Sequence, residues 1–530
     1  QTPWAEGQHV RHLEPMGFIK FDILGLSTLA MFDGAIRHIL KRHHGIQEPT
    51  FADVKEYYGK HLDPDVIDLN NQDVYKNIFH SGKWAGIFQF TEKGAQAFCK
   101  RAKPTSIIDI SAITSIFRPG PLSANVDDEY VDAKENPQYI KYAHPLIEEV
   151  TQETYGFLIF QEQIAILAHK LGKDLSLDEG NKLRKLLTKK GTGKGHEAKM
   201  KIHAKFIEGC MEKGIRQDVA QNIWDKFEYF SGYGFNKSHA VSYSMLSYQC
   251  AWLAYHYPAE WMAAFLDKEP ESRKEKAINI AKGFGFNIKK LDVNTSGRVW
   301  EISEDGHTLV QPLTSIKGFG DAAIDQILTN RPFETIEDFL FNENITYSKL
   351  NKKAVDVLVR SGAMNGLVDT RFSGLKHFWS AVAVDRPRKI KQLEDNIELY
   401  RPEGDFEEEE LIQYTVDLTG VFPMGEVMNR GIRQKLEDKF IPPIGEFDPE
   451  LQLTWFIPRK ILPRKTKHNK EYWVVEVIDD TGHTTSIKCW GVNSNRDILF
   501  LNRPYMAKLD YHPTWGYSTR SIRHNFRLLS

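Results

Sequence analysis

Apolar residues recur at intervals of three and four from about residue 27 to residue 265, a spacing that places them on one face of an α-helix. The pattern predicts a mostly helical region, interrupted by proline-containing turns such as 117–122. From about 280 to 375 it predicts a small strand region and short helices. From about 450 onward, β-branched and aromatic runs predict a small β domain. The pattern as a whole predicts a multidomain α+β protein.

Length and composition agree with several globular domains. At roughly 100–200 residues per domain, 530 residues correspond to about three to five domains. No run of about 18 uncharged apolar residues and no signal-peptide pattern occurs, so neither a membrane span nor secretion is expected. The four cysteines form no CxxC pair, which argues against a zinc ribbon or a disulfide scaffold and favours the cytoplasm.

Positive charge is concentrated in one segment of a chain whose net charge is only -2. Residues 181–205 carry nine Lys or Arg side chains and one Glu, a local charge of +8. Such a segment is typical of contact with nucleic-acid phosphates, although a solvated helix face has the same composition. We predict phosphate contacts by Arg184, Lys185, Lys189 and Lys190.

The segment 18–24 is predicted to be a short strand. Side chains alternate faces along a strand, so Lys20 and Asp22 share its polar face. This is either a half-exposed strand with a solvated ion pair, or a Mg²⁺-binding carboxylate beside a phosphate-facing lysine. One carboxylate cannot hold two metal ions, so further carboxylates would be needed. The acidic cluster that follows in the chain does not supply them, because it is predicted to be a surface turn with a helix N-cap. Its members are Asp63, Asp65 and Asp68.

A glycine-rich turn at 231–239 precedes a predicted helix. It is not a Walker loop, because Asn236 stands where that pattern requires glycine. Its glycines still allow close approach of the backbone, and Lys237, Ser238 and His239 can donate hydrogen bonds to phosphate oxygens. The alternative is a helix cap that is followed by an aromatic core stripe.

Residues 316–324 contain a Gly-x-Gly turn between two predicted helices, the signature of a helix-hairpin-helix motif. Gly318 and Gly320 would allow positive φ and, with Lys317, grip a DNA phosphate through backbone N–H groups. The alternative is a plain corner between two helices.

On the predicted C-terminal strands, four aromatic residues are candidates for stacking on single-stranded bases or for core packing. They are Trp455, Tyr472, Trp473 and Trp490.

Seven segments together resemble the bacterial replicative DNA polymerases of family C, the DNA polymerase III alpha subunits. They occur in the family's order and spacing: FIKFDILGL (18–26), GIFQF (86–90), FRPGPL (117–122), TYGFLIFQEQ (154–163), SGYGFNKSHA (231–240), HYPAEWMAAFL (256–266) and SIKGFG (315–320). The resemblance is strong from about residue 16 to 365, weak from 366 to 445, and returns as an OB-like pattern up to about 525. Any one motif is weakly specific, whereas seven in order are highly specific.

The resemblance implies a mostly helical fingers region, a helix-hairpin-helix domain and a C-terminal OB-like β-barrel. The implied divisions are 1–26 as the end of the palm with the catalytic Asp strand, 27–280 as the fingers, 281–377 as a clamp-associated helix-hairpin-helix domain, 378–445 as a linker, and 446–530 as the OB-like domain.

The resemblance also implies template-directed DNA synthesis, in which two Mg²⁺ ions assist the attack of a primer 3′-hydroxyl on a dNTP. Asp22 would bind one Mg²⁺, and Lys20 would lie beside the phosphates. Phe235 and His239 would lie near the sugar and disfavour a 2′-hydroxyl. The residues expected to bind the nucleotide are Arg118, Phe235, Asn236, Lys237, Ser238 and His239.

In the family, two further metal-binding aspartates stand upstream of the segment that matches 18–26. The chain starts at Gln1 rather than at methionine, so we expect a portion without the PHP domain, the thumb and most of the palm. We expect it to be inactive alone and to act with an N-terminal polymerase portion that carries the other two aspartates. The other expected partners are primer–template DNA, dNTPs and the sliding clamp, at the nucleoid or at a viral replication site.

Another function stays open on the sequence alone. The chain could be a non-catalytic DNA- and clamp-binding module of a replication complex, which the missing carboxylate pair would favour. A metabolic phosphotransferase fits poorly, because neither a Walker loop nor a kinase motif set occurs. The segment 392–396 begins like the family's clamp-binding peptide but lacks its terminal aromatic pair, so no such peptide is assigned.

Overall fold

A computed structural model describes the protein over residues 17, 25–118, 125–188, 194–231, 234–270, 273–367, 371–384, 390–493 and 496–529. Four candidate site residues, Lys20, Asp22, Lys189 and Lys190, lie outside the described residues. The described chain is mainly helical up to residue 283 and mainly β-sheet from residue 453. None of the described helices is long and apolar enough to cross a membrane.

The helical region consists of α-helices that are joined by short connections. They are α1 (Ser27–His43), α2 (Phe51–His61), α3 (Gln72–Val74), α4 (Lys93–Ala102), α5 (Ile107–Ile116), α6 (Val126–Glu135), α7 (Pro145–Thr151), α8 (Gln161–Leu171), α9 (Leu177–Thr188), α10 (Lys194–Glu212), α11 (Gln217–Ser231), α12 (Lys237–His256), α13 (Pro258–Lys268) and α14 (Lys274–Gly283). A π-helix, Tyr75–His80, follows α3, and 3₁₀ turns at Pro137–Tyr139 and Gln152–Thr154 stand on either side of α7. Pro258 begins α13, where its missing N–H leaves no helical hydrogen bond unmade.

The first core forms around α1, α12 and α13. Small residues let α1 and α13 approach closely, since a Cβ at Gly34 would lie 3.4 Å from the Cβ of Ala264. Phe32 and Trp261 are buried between them, with 6.1 Å between ring centroids. Burial of such large side chains removes apolar surface from water and stabilises the fold. This core holds α12, the helix that follows the glycine-rich turn.

A second core lies among α8 to α11. The ring of Phe206 packs against Trp224 and Phe227 at centroid distances of 5.6 and 5.3 Å. At Gly180 the backbone of α9 lies against α8, because a Cβ there would stand 2.4 Å from the carbonyl oxygen of Ala165. The packing therefore fixes α9, which carries candidate phosphate-binding residues.

The hairpin region combines a small sheet with short helices. The strands β1 (Asn287–Lys289), β2 (Glu301–Ile302) and β3 (Thr308–Val310) form a sheet in the order β1-β3-β2. The helices are α15 (Asp321–Asn330), α16 (Ile336–Phe341) and α17 (Lys352–Arg360). Their buried side chains, which include Ile324, Phe339 and Leu358, form one core and hold the start of α15, where the Gly-x-Gly turn lies.

Helices also occur in the described part of the segment that was predicted to be a linker, 378–445. They are α18 (Leu375–Phe378), a π-helix (Trp379–Val384), α19 (Ile390–Leu399), α20 (Glu408–Thr419), α21 (Met424–Val427) and α22 (Arg430–Glu437). Leu393 is buried in the hairpin core, and Ile412 and Ile432 are buried in a further core. The linker description is wrong in this respect, because the charges that suggested it, as at 407–409, cover the outside of packed helices. The domain boundaries themselves stay predictions.

The C-terminal region is a curled seven-stranded sheet in the order β10-β7-β4-β5-β6-β9-β8. Its elements are β4 (Leu453–Lys465), β5 (Glu471–Ile478), β6 (Thr484–Trp490), β7 (Tyr505–Lys508), β8 (Asp510–His512), β9 (Gly516–Thr519), α23 (Ile522–Asn525) and β10 (Phe526–Leu528). β4 pairs first with β7 and then with β5, and a bulge between Pro458 and Lys460 bends it. The sheet is OB-like. Together with the helical region up to residue 283, it confirms the predicted multidomain α+β fold.

Candidate functional site

Two segments that are distant in sequence form the glycine-rich turn together. Phe160 and Phe235 form an isolated parallel β-bridge. The backbone N–H of Gln161 donates to Phe235 O over 2.9 Å, and its side-chain Nε2 donates to Gly234 O over 2.7 Å. The segment 154–163 therefore fixes the backbone that leads into α12.

Asn236 is the N-cap of α12. Its Oδ1 accepts hydrogen bonds from His239 N at 2.8 Å and from Ser238 Oγ at 2.7 Å. A side-chain oxygen at this position satisfies a donor that has no partner within the helix. The cap places Lys237, Ser238 and His239 in the first turn of α12, and the last two are exposed.

Two glutamates hold the groups that begin α12. Glu162 accepts from Lys237 N at 2.9 Å and from Asn236 Nδ2 at 2.7 Å, and its Oε1 lies 3.5 Å from Arg184 Nη1. Glu153 Oε1 lies 2.5 Å from Lys237 Nζ. A helix N-terminus favours an anion, and here a carboxylate of the chain itself takes that position.

A row of aromatic rings begins beside Arg118. Its guanidinium carbon lies 4.1 Å from the ring centroid of Phe235. The His239 ring lies 5.3 Å from Phe235 and 4.1 Å from Tyr243, which meets Phe88 edge-on at 5.2 Å. A guanidinium that stacks on a ring directs its N–H groups sideways, where they can reach oxygens of a ligand. The structure thus brings together Arg118, Phe235 and His239, whose roles stay predictions.

Carboxylates from outside the basic segment neutralise part of its charge. Lys199 Nζ lies 2.6 Å from Glu228 Oε1, and Lys205 Nζ lies 3.0 Å from Glu179 Oε1. Arg184 lies beside Glu162, as described above. The local charge of +8 therefore overstates the field at this surface. Of the predicted phosphate-binding side chains, α9 carries Arg184 and Lys185, while Lys189 and Lys190 are outside the described residues.

The Gly-x-Gly turn is open on one side. Gly318 has φ of 81°, which favours glycine, whereas Gly320 has φ of -82°, so the positive φ predicted for Gly320 is wrong. Lys317 N donates to the carbonyl oxygen of Leu418 over 2.7 Å. Within the described residues the N–H of Gly320 has no acceptor, and a Cβ there would meet no heavy atom within 4 Å. The open side is therefore that of Gly320.

The predicted metal-binding and phosphate-facing residues, Asp22 and Lys20, lie outside the described residues. In the rest of the chain that the structure describes, no three or more His, Cys, Asp or Glu side chains group together as a metal site would require. Asp63 Oδ1 accepts from Asp65 N at 3.0 Å, and Asp68 makes the same kind of bond two residues on. The acidic cluster is therefore a surface turn, as predicted, but the predicted helix N-cap is not one of its aspartates, because Asn71 caps α3.

The cations at the start of α12 were predictable from the sequence, whereas the carboxylates that hold them were not. Glu162 lies in the segment 154–163, which the resemblance marks as a motif without giving this residue a role, and Glu153 directly precedes it. The Gln-Glu-Gln run after an apolar stretch was the available signal, since polar side chains there begin a helix. It does not indicate which distant segment those side chains contact.

The OB-like sheet presents aromatic rings on its outer face. Tyr472 and Trp490 stack at 4.5 Å, and the Trp515 ring, 67% exposed, lies 5.6 Å from Lys488 Nζ. By contrast, Trp455 is buried, and so is Trp473. Two of the four predicted stacking residues are therefore core residues, and two form a partly exposed platform.

Two regions of the chain match models of known protein families. Residues 45–214 match the family model of the bacterial DNA polymerase III alpha subunit finger domain, and residues 285–373 match that of a helix-hairpin-helix motif.

The chain is similar to several proteins named DNA polymerase III subunit alpha. It is 31% identical to that of Campylobacter jejuni over 444 residues, which cover 80% of this chain and 35% of the relative. It is 30% identical to that of Aquifex aeolicus over 479 residues, covering 89% of this chain and 38% of the relative. For the Pseudomonas aeruginosa protein, identity is 32% over 400 residues, 73% of this chain and 32% of the relative. The chain spans about a third of the length of the curated relatives it matches.

Proposed function

Because this chain belongs to the family of bacterial DNA polymerase III alpha subunits, we propose that it provides the fingers, the helix-hairpin-helix domain and the OB-like domain of a DNA-directed DNA polymerase. In this reaction the primer 3′-hydroxyl attacks the α-phosphorus of a dNTP, a new P–O bond forms, and pyrophosphate leaves. The observation that carries the proposal is the cluster of Arg118, Phe235, Lys237 and His239 at the start of α12.

The cations of this cluster would bind the triphosphate. Lys237 Nζ and the Arg118 guanidinium carry fixed positive charge, and charge-assisted hydrogen bonds to phosphate oxygens are stronger than neutral ones. Their charge also stabilises the negative charge that develops on the leaving pyrophosphate. Asn236 and Ser238 act by shaping the first turn of α12 through the N-cap.

The rings of the cluster would face the sugar. His239 is exposed and is held between Phe235 and Tyr243. A rigid ring beside the 2′ position leaves no room for a hydroxyl there, and so favours deoxyribonucleotides. We therefore expect His239→Ala to raise the ratio of ribonucleotide to deoxyribonucleotide incorporation. If the ratio stays the same, Phe235 becomes the candidate for sugar selection.

The proposed cofactor is Mg²⁺, two ions of which activate the attacking oxygen and neutralise the leaving one when they are bound. The ligand that this chain offers is Asp22, with Lys20 beside the phosphates. The remaining carboxylates would come from the N-terminal polymerase portion, which is the proposed partner along with the sliding clamp. The proposed location is the cytoplasm, at the replicating DNA.

Primer–template DNA would contact two surfaces of the chain. Arg184 and Lys185 on α9, with Lys189 and Lys190 after it, would hold backbone phosphates near the nucleotide. The turn of Lys317, Gly318 and Gly320 would grip a more distant phosphate through the open Gly320 N–H. This open turn also favours the second candidate function, a DNA- and clamp-binding module without catalysis of its own.

Steady-state dNTP incorporation by the polymerase that contains this chain tests the proposal. Lys237→Ala should raise the KM for dNTP by about tenfold or more, because a hydrogen bond to a charged group contributes roughly 1.5–3 kcal/mol. Lys170→Ala is the matched control, since that lysine pairs with Glu149 at 3.0 Å and is not in the cluster. An unchanged KM in Lys237→Ala would contradict the nucleotide site. DNA binding without synthesis in any combination with the N-terminal portion would favour the module.

A further inference from the structure

The two glutamates at the glycine-rich turn before α12 make contacts of different kinds. Glu162 binds the backbone N–H of Lys237 at 2.9 Å and the side-chain amide of Asn236 at 2.7 Å. Both of these groups are fixed by the β-bridge and by the N-cap of α12. Glu153 binds Lys237 Nζ, at the end of a long side chain. An anion can therefore replace Glu153 without disturbing the backbone, whereas replacement of Glu162 would release the turn.

The surroundings of Glu153 favour an exchangeable ion pair. The side chain of Glu153 is 35% exposed and that of Lys237 is 32% exposed, so water competes for both partners. Lys237 Nζ also lies 5.6 Å from the ring centroid of Phe160. This second contact holds the ammonium group near the turn when the carboxylate moves away.

We propose that Glu153 is a built-in competitor of the nucleotide, which pairs with Lys237 until the triphosphate of an incoming dNTP displaces it. This inference rests on the proposed function. A triphosphate carries several negative charges and many acceptor oxygens, so it attracts the ammonium group more strongly than one carboxylate does. The ion pair has to break before the lysine can bind phosphate, and this requirement weakens dNTP binding.

The test is Glu153→Gln, which removes the charge and keeps the size of the side chain. Measured in the polymerase that contains this chain, the variant should bind dNTP about two- to fivefold more tightly, the factor expected from a partly exposed ion pair. Glu149→Gln is the matched control, because it makes the same charge change four residues earlier at a glutamate that pairs with Lys170. The control should leave dNTP affinity unchanged.

The double variant Glu153→Gln, Lys237→Ala separates competition from a general charge effect. Without the lysine, Glu153→Gln should have no effect on dNTP affinity. Unchanged or weaker binding in Glu153→Gln, together with weaker binding in Lys237→Ala, would overturn the competitor and leave the nucleotide site standing. If Lys237→Ala alone has no effect, the nucleotide site fails and the competitor fails with it.

Discussion

The two turns that are proposed to bind phosphates are built in opposite ways. At the start of α12, Glu162 occupies the N–H of Lys237, and Asn236 occupies the N–H of His239. At the start of α15, the N–H of Gly320 has no acceptor within the described residues, and a Cβ at Gly320 would meet no heavy atom within 4 Å. In the proposed function, the hairpin turn would therefore bind a phosphate through a backbone donor, whereas the glycine-rich turn before α12 would bind through side chains that already have partners.

The difference suits two tasks. A grip on the DNA backbone carries no sequence information, so an open backbone donor is sufficient for it. A site that selects one nucleotide needs a rigid framework, because small displacements of the reacting groups cost much of the rate. Internal hydrogen bonds at 234–239 supply that rigidity, and they leave side chains such as Lys237 to make the exchangeable contacts.

The largest effect on stability is expected from removal of the Glu162 carboxylate. Glu162→Ala leaves the N–H of Lys237 and the amide of Asn236 without their acceptor, so the free energy of unfolding should fall by roughly 1–3 kcal/mol. Urea unfolding of the chain measures it. Glu149→Ala, at an exposed ion pair, should change stability by less than about 0.5 kcal/mol. Equal losses in both variants would contradict a special role for Glu162.

A somewhat smaller effect is expected at the hairpin. Gly318→Val forces a β-branched residue to φ of 81° and brings its Cβ to 3.2 Å from Lys353 Cε, so the free energy of unfolding should fall by roughly 1–2 kcal/mol. Gly320→Ala is the control, since φ is ordinary and the space is open there. Thermal or urea unfolding compares the two. A larger loss in Gly320→Ala would mean that the geometry of the turn is misassigned.

The regions of the two turns meet where Asp267 accepts a hydrogen bond from Trp300 N at 3.0 Å. Burial raises the pKa of Asp267 to about 7. The native state therefore keeps the carboxyl proton of Asp267 to a higher pH than the unfolded chain does. The stability that this protonation contributes is complete below about pH 4 and lost by about pH 7. Asp267→Asn is neutral at every pH, so it should raise the free energy of unfolding by about 1 kcal/mol at pH 8 and change it little at pH 4.

The control for this pH dependence is Asp305, an exposed carboxylate of opposite behaviour. Hydrogen bonds from Thr308 and His307 lower its pKa to about 2. Its contribution to stability is therefore present above about pH 4 and is lost as the pH falls toward 2. Urea unfolding at several pH values should show opposite slopes for Asp267→Asn and Asp305→Asn. Parallel profiles would argue against burial as the cause at Asp267.

The sequence predicted what depends on neighbouring residues. Periodicity located the helical region, alternation located the β domain, and glycine and asparagine marked both turns, because the preferences of Gly318 and Asn236 are local. The helices at 390–437 were missed, since their charged faces resemble a linker and their apolar faces are buried only by distant elements.

The missing part of the site was long-range. The bond from Asn236 to Glu162 spans 74 residues, and that from Lys237 to Glu153 spans 84. No pattern within one segment specifies such a contact, because it results from packing of the 3₁₀ turn Gln152–Thr154 and of α8 against the glycine-rich turn. The same limit explains why the positive charge of the segment 181–205 was overestimated. Glu228 and Glu162, which lie outside this segment, neutralise cations within it.

The smallest effect expected is on DNA binding at the open side of the hairpin. Gly320→Val keeps an ordinary φ and places a side chain where no heavy atom lies within 4 Å, so the fold should stay intact. The added bulk should hinder a phosphate from reaching the backbone donor, so duplex affinity should fall about two- to fivefold, the loss of roughly one hydrogen bond. Gly404→Val, at another open glycine, is the matched control and should bind normally.

Fluorescence anisotropy with two unrelated duplexes decides whether the turn reads the backbone or the bases. Asp321 follows Gly320 and would repel a phosphate, but Arg298 Nη1 lies 2.7 Å from its Oδ1 and offsets that charge. A backbone contact should therefore persist, and Gly320→Val should weaken both duplexes equally. A loss that depends on sequence would indicate base contacts. An unchanged affinity would mean that the open N–H is a structural corner, and the contrast between the two turns would then carry no function.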